Sequence, residues 1–461
     1  MPRWARSVAI FTLVLTACTG TSAPVPVPSA LPIYPAEEPT PTAPPVPLVG
    51  PPQYRALWVD AFHDGIKTKA QVNTLIDRAH RANLNALFVQ VRKRGDAYFN
   101  LGLEPRADDP ALARRPFDPL AYLVDRAHRA NPRLEVHAWV NTFFVGKDSA
   151  VYQTHGDEWG NRTAGGDTGG YLDPGVPQAR TYTREVFVDL IKSYKVDGIH
   201  FDFVRYPDGG DWGYSPLAVA NFNAATGKTG SPDPTDADWQ QWRRDQVTAF
   251  VRDTYHALHL ARPEIKVSGA LIAYGKGPRN ESEWRQTATY TSVLQDWYSW
   301  LREGILDFGV PMNYDRDSSP SQNGWYRLWN DFEKDRLGKV LIGVGAFLNY
   351  PEDTITQIRQ GLQATPGGNH ALGIAIYSYA STSVYGTDDF YLAPNDQGYL
   401  PRQPYAPNPD PIVLANRARS FNTWFYTALS VASSYDDPVV GKVPTTPVFE
   451  KPAPIPTLGS G

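Results

Sequence analysis

Eight short apolar runs, most of them followed by a stretch of helical period, leave this chain few architectures. The runs cover 55–60, 86–92, 135–142, 198–203, 266–271, 308–314, 340–346 and 372–379. Behind the first, Val72, Leu75, Ile76 and Ala79 recur at steps of three and four after a Thr68…Gln71 capping box. Behind the second, Leu120, Leu123, Val124 and Ala127 follow Asp118-Pro119, an N-cap with proline at the first helical position. Val186, Leu190, Ile191 and Tyr194 form a third stripe, and Val247, Phe250, Val251 and Leu258 a fourth. Eight strand–helix units in roughly 380 residues predict an α/β chain folded as a (β/α)8 TIM barrel with long βα loops. The alternative, an open doubly wound sheet, calls for an early glycine-rich phosphate turn, and none appears. Gly343-Val344-Gly345 follows a strand but lacks the third glycine, so it reads as close packing.

The two ends have a different character. Arg3 and Arg6 precede a short apolar stretch from Val8 to Leu15, in the pattern of a secretory signal over 1–17. It closes on Leu15-Thr16-Ala17-Cys18, which resembles the lipobox of bacterial lipoproteins, so lipidation at Cys18 is expected. Residues 19–52 hold 12 prolines, which predicts an extended tether over 18–52. At ~3.1 Å per residue it could hold the body about 100 Å from an anchoring membrane. The globular body is expected over 53–436, and the Pro-, Val- and Thr-rich segment 437–461 reads as a disordered tail. The expected setting is an exported, membrane-anchored lipoprotein facing the periplasm or cell exterior.

Composition excludes several classes of function. With 44 Lys+Arg against 48 Asp+Glu the chain has no basic excess with which to displace counterions from nucleic acid. A single cysteine forbids both an intramolecular disulfide framework and a cysteine-cluster zinc site. His256 and His259 lie on adjacent helical turns with no acidic third ligand nearby, so no metal and no cofactor is expected. There is no G-x-S-x-G elbow to suggest a serine hydrolase.

In a barrel of this kind, chemistry sits at the C-terminal ends of the strands. Those ends are polar. The first ends in Asp60, and the second in Gln90-Val91-Arg92 with Asp96 shortly beyond. The third carries His137, Trp139 and Asn141 at alternate positions, hence on one face, and the fourth carries His200 and Asp202 before Arg205. The sixth ends Asn313-Tyr314-Asp315, and the eighth contributes Tyr377. Gathering so many polar groups on one rim is costly unless they pair or bind a polar ligand.

These segments carry a resemblance. Arg55-Ala56-Leu57-Trp58-Val59-Asp60, Asn85 to Arg92 with Gly95-Asp96-Ala97-Tyr98, Phe117-Asp118-Pro119-Leu120 and His137-Ala138-Trp139-Val140-Asn141 resemble, in order, the glycosyl hydrolase-like 10 family of bacterial exported proteins. Tyr171-Leu172-Asp173-Pro174-Gly175 and Asp197-Gly198-Ile199-His200-Phe201-Asp202 with Arg205-Tyr206-Pro207 continue the likeness, which spans about residues 53–430. It implies a TIM barrel, a cell-envelope setting and a glycan substrate. Peptidoglycan strands stripped of their stem peptides are the substrate of one relative. Two positions depart from the family pattern: Phe203 stands where many relatives have a second acid, and Asn313 where many have glutamine.

Glycoside hydrolysis usually uses two carboxyl groups, one protonating the leaving oxygen and one attacking the anomeric carbon or activating water. Asp202 is the candidate nucleophile or base, with Arg205 expected to lower its pKa. Asp315 is the chosen proton donor over Glu281, Glu283, Asp60 and Asp96. Asp60, Gln90, Arg92, Asp96, His137, Trp139, Asn141, His200, Arg205, Asn313, Tyr314 and Tyr377 are the candidate substrate contacts. Trp159, Trp212 and Trp284, in predicted loops, suit either the faces of sugar rings or the pinning of those loops. Three readings stay open: a hydrolase of peptidoglycan strands, a hydrolase of another polysaccharide, and a glycan-binding protein without catalysis.

Overall fold

Side chains of strand β1 (Tyr54–Val59) alternate between two cores. Tyr54, Ala56 and Trp58 join one buried apolar cluster, whereas Leu57 and Val59 join a second, larger one. That period of two is repeated around a closed ring, so the first cluster fills the inside of a barrel and the second fills the layer beneath its helices. A computed structural model describes residues 46–386, 411–437 and 439–458. The expected signal segment, Cys18 and the expected tether up to residue 45 lie outside the described residues.

Seven further strands complete the ring: β2 (Ala86–Arg92), β3 (Glu135–Asn141), β4 (Gly198–Asp202), β5 (Lys266–Ile272), β6 (Phe308–Met312), β7 (Leu341–Gly345) and β8 (Gly373–Tyr377). All pair in parallel, in the order β6-β5-β4-β3-β2-β1-β8-β7. A single parallel bridge, Gly309 to Val340, joins β6 to the start of β7 and closes the circle. At this seam Gly343 has no room for a side chain, since a Cβ there would lie 2.2 Å from the Pro311 carbonyl oxygen. The expected (β/α)8 fold is therefore the observed one.

The helices form where capping and apolar stripes predict them. Helix α1 (Lys69–Arg81) is capped by Thr68, whose hydroxyl accepts from the Gln71 amide at 3.2 Å, and buries Val72, Leu75, Ile76 and Ala79. Helix α2 (Pro119–His128) starts behind Asp118, and α3 (Pro177–Ser193) and α4 (Ala237–Ala261) pack against each other outside β4. The circuit continues with α5 (Trp297–Glu303), α6 (Pro320–Arg336), α7 (Pro351–Leu362) and α8 (Pro411–Ala428). No helix among the described residues is long and apolar enough to cross a membrane.

One hydrogen-bonded polar group interrupts the apolar lower interior of the barrel. Lys266 Nζ donates to Glu135 (2.6 Å) and to the Tyr54 hydroxyl (2.7 Å), and His137 Nε2 lies 3.0 Å from Glu135. Burial pushes the Glu135 carboxyl up, but His137 and Lys266 outweigh it and hold Glu135 below its ordinary value. Gly198 makes the space for His137, because a Cβ there would sit 2.1 Å from His137 Nδ1.

The C-terminal segment departs from the expectation of disorder. Ser433–Asp437 and Gly441–Thr445 form an antiparallel hairpin, and residues 446–458 run as a strap beneath the N-terminal ends of the strands. Its carbonyls accept from the barrel: Phe449 O from Asn83 Nδ2 (2.6 Å), Lys451 O from Arg55 Nη1 (2.6 Å) and Pro454 O from the Gln53 amide (2.8 Å). Proline removes donors but not acceptors, so a proline-rich strap suits a surface that supplies N–H groups. Phe449 is fully buried under the Arg55 guanidinium, and Ile455 and Leu458 pack against the interior cluster from below. Residues 46–52, expected to belong to the tether, are part of this floor too, with the Val49 amide bonded to Pro452 O at 2.9 Å. Phe449→Ala should destabilise the protein by about 3 kcal/mol, and deletion of 446–461 by more. Urea unfolding checks this; unchanged midpoints would mean that the strap does not support the barrel.

Candidate active site

The C-terminal rim of the barrel opens into a cavity of about 400 Å³ with an aromatic wall. Trp58, Trp139, Tyr314 and Tyr377 supply that wall, and the Tyr314 and Tyr377 rings stack 5.5 Å apart. The cavity also reaches Asp202 and Asp315, which are 8% and 7% exposed.

Asp202 is the last residue of β4, paired in register with Asn141 of β3, while Trp139 pairs with His200 one layer below. Both of its oxygens are engaged: Oδ1 accepts from the Phe203 amide at 2.7 Å, and Oδ2 from Trp139 Nε1 at 3.0 Å. Phe203 reaches this position with a φ of +49°, a left-handed conformation uncommon for an aromatic residue. Burial raises the pKa of Asp202 above the ordinary value, against the Phe203 amide, the Arg205 charge and the Trp139 donor. Arg205 acts in the expected direction, but burial outweighs it and the net shift is upward. Arg205 spends its charge on Asp208, 2.9 Å away, and the cost of desolvating the carboxylate is larger.

Asp315 is held differently. Its backbone carbonyl accepts from Asn349 Nδ2 (3.0 Å) and Gln357 Nε2 (2.9 Å), so the main chain is clamped from the α7 side. Its carboxyl has no such support: Oδ2 is buried without a hydrogen-bond partner among the described residues, and burial alone pushes the pKa up to about 7. One rim thus carries two carboxyl groups in contrasting surroundings, one with two donors and one with none.

Of the sequence-derived candidates, Gln90, Trp139, Asp202, Arg205, Tyr314, Asp315 and Tyr377 line this cavity. Asn141 and Asp60 support its edge. Asn141 accepts from Gln90 Nε2 (3.1 Å) and donates to Lys93 O (2.7 Å), while Asp60 accepts from the Phe62 amide (2.8 Å) and faces His63. The other five lie elsewhere. Arg92 follows a register shift in β2, is fully buried, and is committed to Glu104 by two bonds of 2.6 Å and to the Asn141 carbonyl. Asn313, just past the end of β6, turns outward to Asn330 and Glu333 of α6, at 3.0 Å each. Asp96 caps its own turn by accepting from the Lys93 and Arg94 amides. His137 belongs to the Glu135 cluster. His200 is sealed between Trp58 Nε1 (3.0 Å) and Ser268 Oγ (2.9 Å) and stacks on Phe88, so it is neutral and orients the Trp58 ring.

Glu281 and Glu283 form surface ion pairs with Arg285 and Arg279. Trp284 is buried among Trp297, Trp329 and Phe332, and Trp159 stacks on His155, so neither faces the cavity. Trp212 packs near Gly169 and likewise does not line it. Sequence reasoning missed Trp58, Phe62, Phe203, Tyr274 and Met312, all of which line the cavity. For Trp58 the signal was there, two residues before Asp60 on the inward face of β1.

A family model for glycosyl hydrolase-like 10 matches residues 53–348. Glycosyl hydrolase DigH of Escherichia coli O6:H1 is 25% identical over 307 residues, covering 61% of this chain and 66% of that protein. Glycosyl hydrolase YngK of Bacillus subtilis is 23% identical over 307 residues, covering 57% and 54%. The match thus spans just under two thirds of the length of the first relative. Among solved structures, the PgaB (BpsB) glycoside hydrolase domain from Bordetella bronchiseptica superposes with a TM-score of 0.51 at 16% identity, over 71% of this chain and 94% of that one. A cold-adapted β-galactosidase from Rahnella sp. R3 gives 0.52 at 14%, over 84% and 57%. At such identities the structural likeness concerns the barrel alone. The family model covers the strands that carry Asp202 and Asp315, and by that match the chain belongs to the glycosyl hydrolase-like 10 family.

Proposed function

We propose that this chain is a glycoside hydrolase of the cell envelope, acting on peptidoglycan glycan strands, with Asp202 as nucleophile or base and Asp315 as general acid. The observation that carries the reading is the contrast between the two carboxyls on one aromatic-walled cavity. Asp202 keeps two hydrogen bonds and a nearby Arg205, which favour its ionised form relative to Asp315. Asp315 has burial alone and stays protonated up to about pH 7, as a donor to a leaving oxygen must. Rings such as Trp58, Trp139 and Tyr377 suit the apolar faces of pyranoses. The family name supports a glycosidic bond as the target, and the lipobox-like Leu15-Thr16-Ala17-Cys18 supports an exported, lipid-anchored setting in which peptidoglycan is at hand. A glycan-binding role without catalysis keeps the same cavity, and turnover decides between the two.

Incubation with intact peptidoglycan and with peptide-stripped strands, followed by mass spectrometry of soluble products, should show oligosaccharides from the stripped strands. Asp202→Asn, folded by circular dichroism, should lower their yield about 10³-fold. Wild-type silence on both substrates would reject peptidoglycan and, if extended to other glycans, the hydrolase reading itself.

The pH profile of kcat/KM follows from the same two groups. Activity needs Asp202 ionised and Asp315 protonated, so it should rise with pH through the raised Asp202 pKa and fall above about 7 as Asp315 loses its proton. A profile still flat at pH 8.5 would remove Asp315 from the acid role.

Asp315 also has a stability signature. Its folded pKa of about 7 exceeds the ordinary 3.8, so the folded state holds a proton that the unfolded state releases between those values. Unfolding free energy should therefore decline with rising pH across that window, by on the order of 4 kcal/mol for this group. Asp315→Asn should flatten the decline and raise the melting temperature at pH 8 while lowering activity. Parallel wild-type and variant stability curves would show that the Asp315 carboxyl is not desolvated.

A further inference from the structure

The cavity is bordered on two opposite sides by aromatic rings open to solvent. Phe62, beyond β1, is 54% exposed, and Tyr274, beyond β5, is 44% exposed. The two strands lie across the barrel from one another, and both rings line the cavity. A glycan centred on Asp202 and Asp315 would meet one ring on each side.

The surroundings of the two rings differ in charge. The Tyr274 hydroxyl donates to Asp208 at 2.9 Å, and Asp208 pairs with Arg205, so cation and anion are matched on that side. On the other side, Lys93 Nζ lies 4.9 Å from the Phe62 ring centroid and the Arg94 guanidinium carbon 5.8 Å from it. The neighbouring carboxylates are occupied. Asp96 accepts from the Lys93 and Arg94 backbone amides, Asp60 holds the Phe62 amide and His63, and Asp109 pairs with Lys67 at 2.9 Å. Among the described residues, neither the Lys93 ammonium nor the Arg94 guanidinium enters an ion pair.

We propose that Phe62, Lys93 and Arg94 form a flanking subsite that binds a pyranose bearing a carboxylate, while Tyr274 takes an uncharged sugar on the opposite side. The inference rests on the glycosidase reading above and adds to it the residues that read the carboxylate of a strand in which anionic and neutral sugars alternate. The ring supplies the apolar face, and the two cations supply charge-assisted hydrogen bonds to the carboxylate. A lactyl ether freed of its stem peptide offers that group, as does a uronic acid. The arrangement also sets the register, since only one of two alternating linkages puts its carboxylate beside Lys93.

Binding tests this without turnover. The full chain carrying Asp202→Asn would be titrated with peptide-stripped peptidoglycan strands, with the same strands after carbodiimide amidation of their carboxyls, and with a polyuronate. Free-carboxylate strands should bind about tenfold more tightly than amidated ones, and salt should erode the difference. The preference should fall to near unity in Lys93→Gln/Arg94→Gln, whereas Phe62→Ala should weaken both forms alike. Polyuronate binding that depends on the same two cations would make a uronic acid sufficient, and its absence would assign the lactyl ether. Equal affinity for free and amidated strands, or a preference that survives the double substitution, overturns the proposal. Loss of the glycosidase reading would appear separately, as wild-type protein that releases no product from either strand.

Discussion

Closure of the eight-stranded ring is the constraint on which the mouth of this protein depends. Seven strand pairs form ordinary parallel ladders, but the eighth contact is a single bridge between Gly309 and Val340. It is made where Gly343 brings two backbones closer than any side chain would allow. The closed ring sets the ends of β4 and β6, two strands apart, against those of β1 and β8, so that Asp202 and Asp315 share one cavity with Trp58 and Tyr377. A polar group sits lower in the same interior. Glu135 gathers Lys266, Tyr54 and His137 inside the barrel, and the wall above them is built from rings.

The fold was legible in the sequence because eight strand-like runs, four helical stripes and two helix caps agree with one another. The position of a side chain relative to the cavity was legible only where the pleat continued undisturbed. Trp139 and Asp202 obey the alternation and reach the site. Arg92 also follows a recognisable strand, but the register shift after Gln90 turns it into the protein, where Glu104 completes its pairing. Asn313 lies one residue beyond β6 and bonds outward to α6. His137 and His200 have the right parity and the wrong depth, a quantity that strand stagger fixes and a linear sequence does not show. The strap was misread because proline content says where donors are missing, not where acceptors are wanted.

Surroundings distinguish the two carboxyls more than their chemistry does. Asp202 sits at the end of a strand, with a strained neighbour whose amide is aimed at it and an indole donor from β3. Asp315 is fixed through its main chain by Asn349 and Gln357, which leaves its side chain in low-dielectric surroundings without a counterion. A charge there is a structural liability, and an acid in such surroundings fits the proton-donor role proposed for Asp315.

Residues 46–53 enter the barrel along its floor, paired with the C-terminal strap under the first turns of the strands. Both ends of the described body, 46–53 and 446–458, therefore meet at the pole opposite the cavity. None of the floor residues that bond there lines the opening, so the floor can change in sequence without touching the groups that surround Asp202 and Asp315.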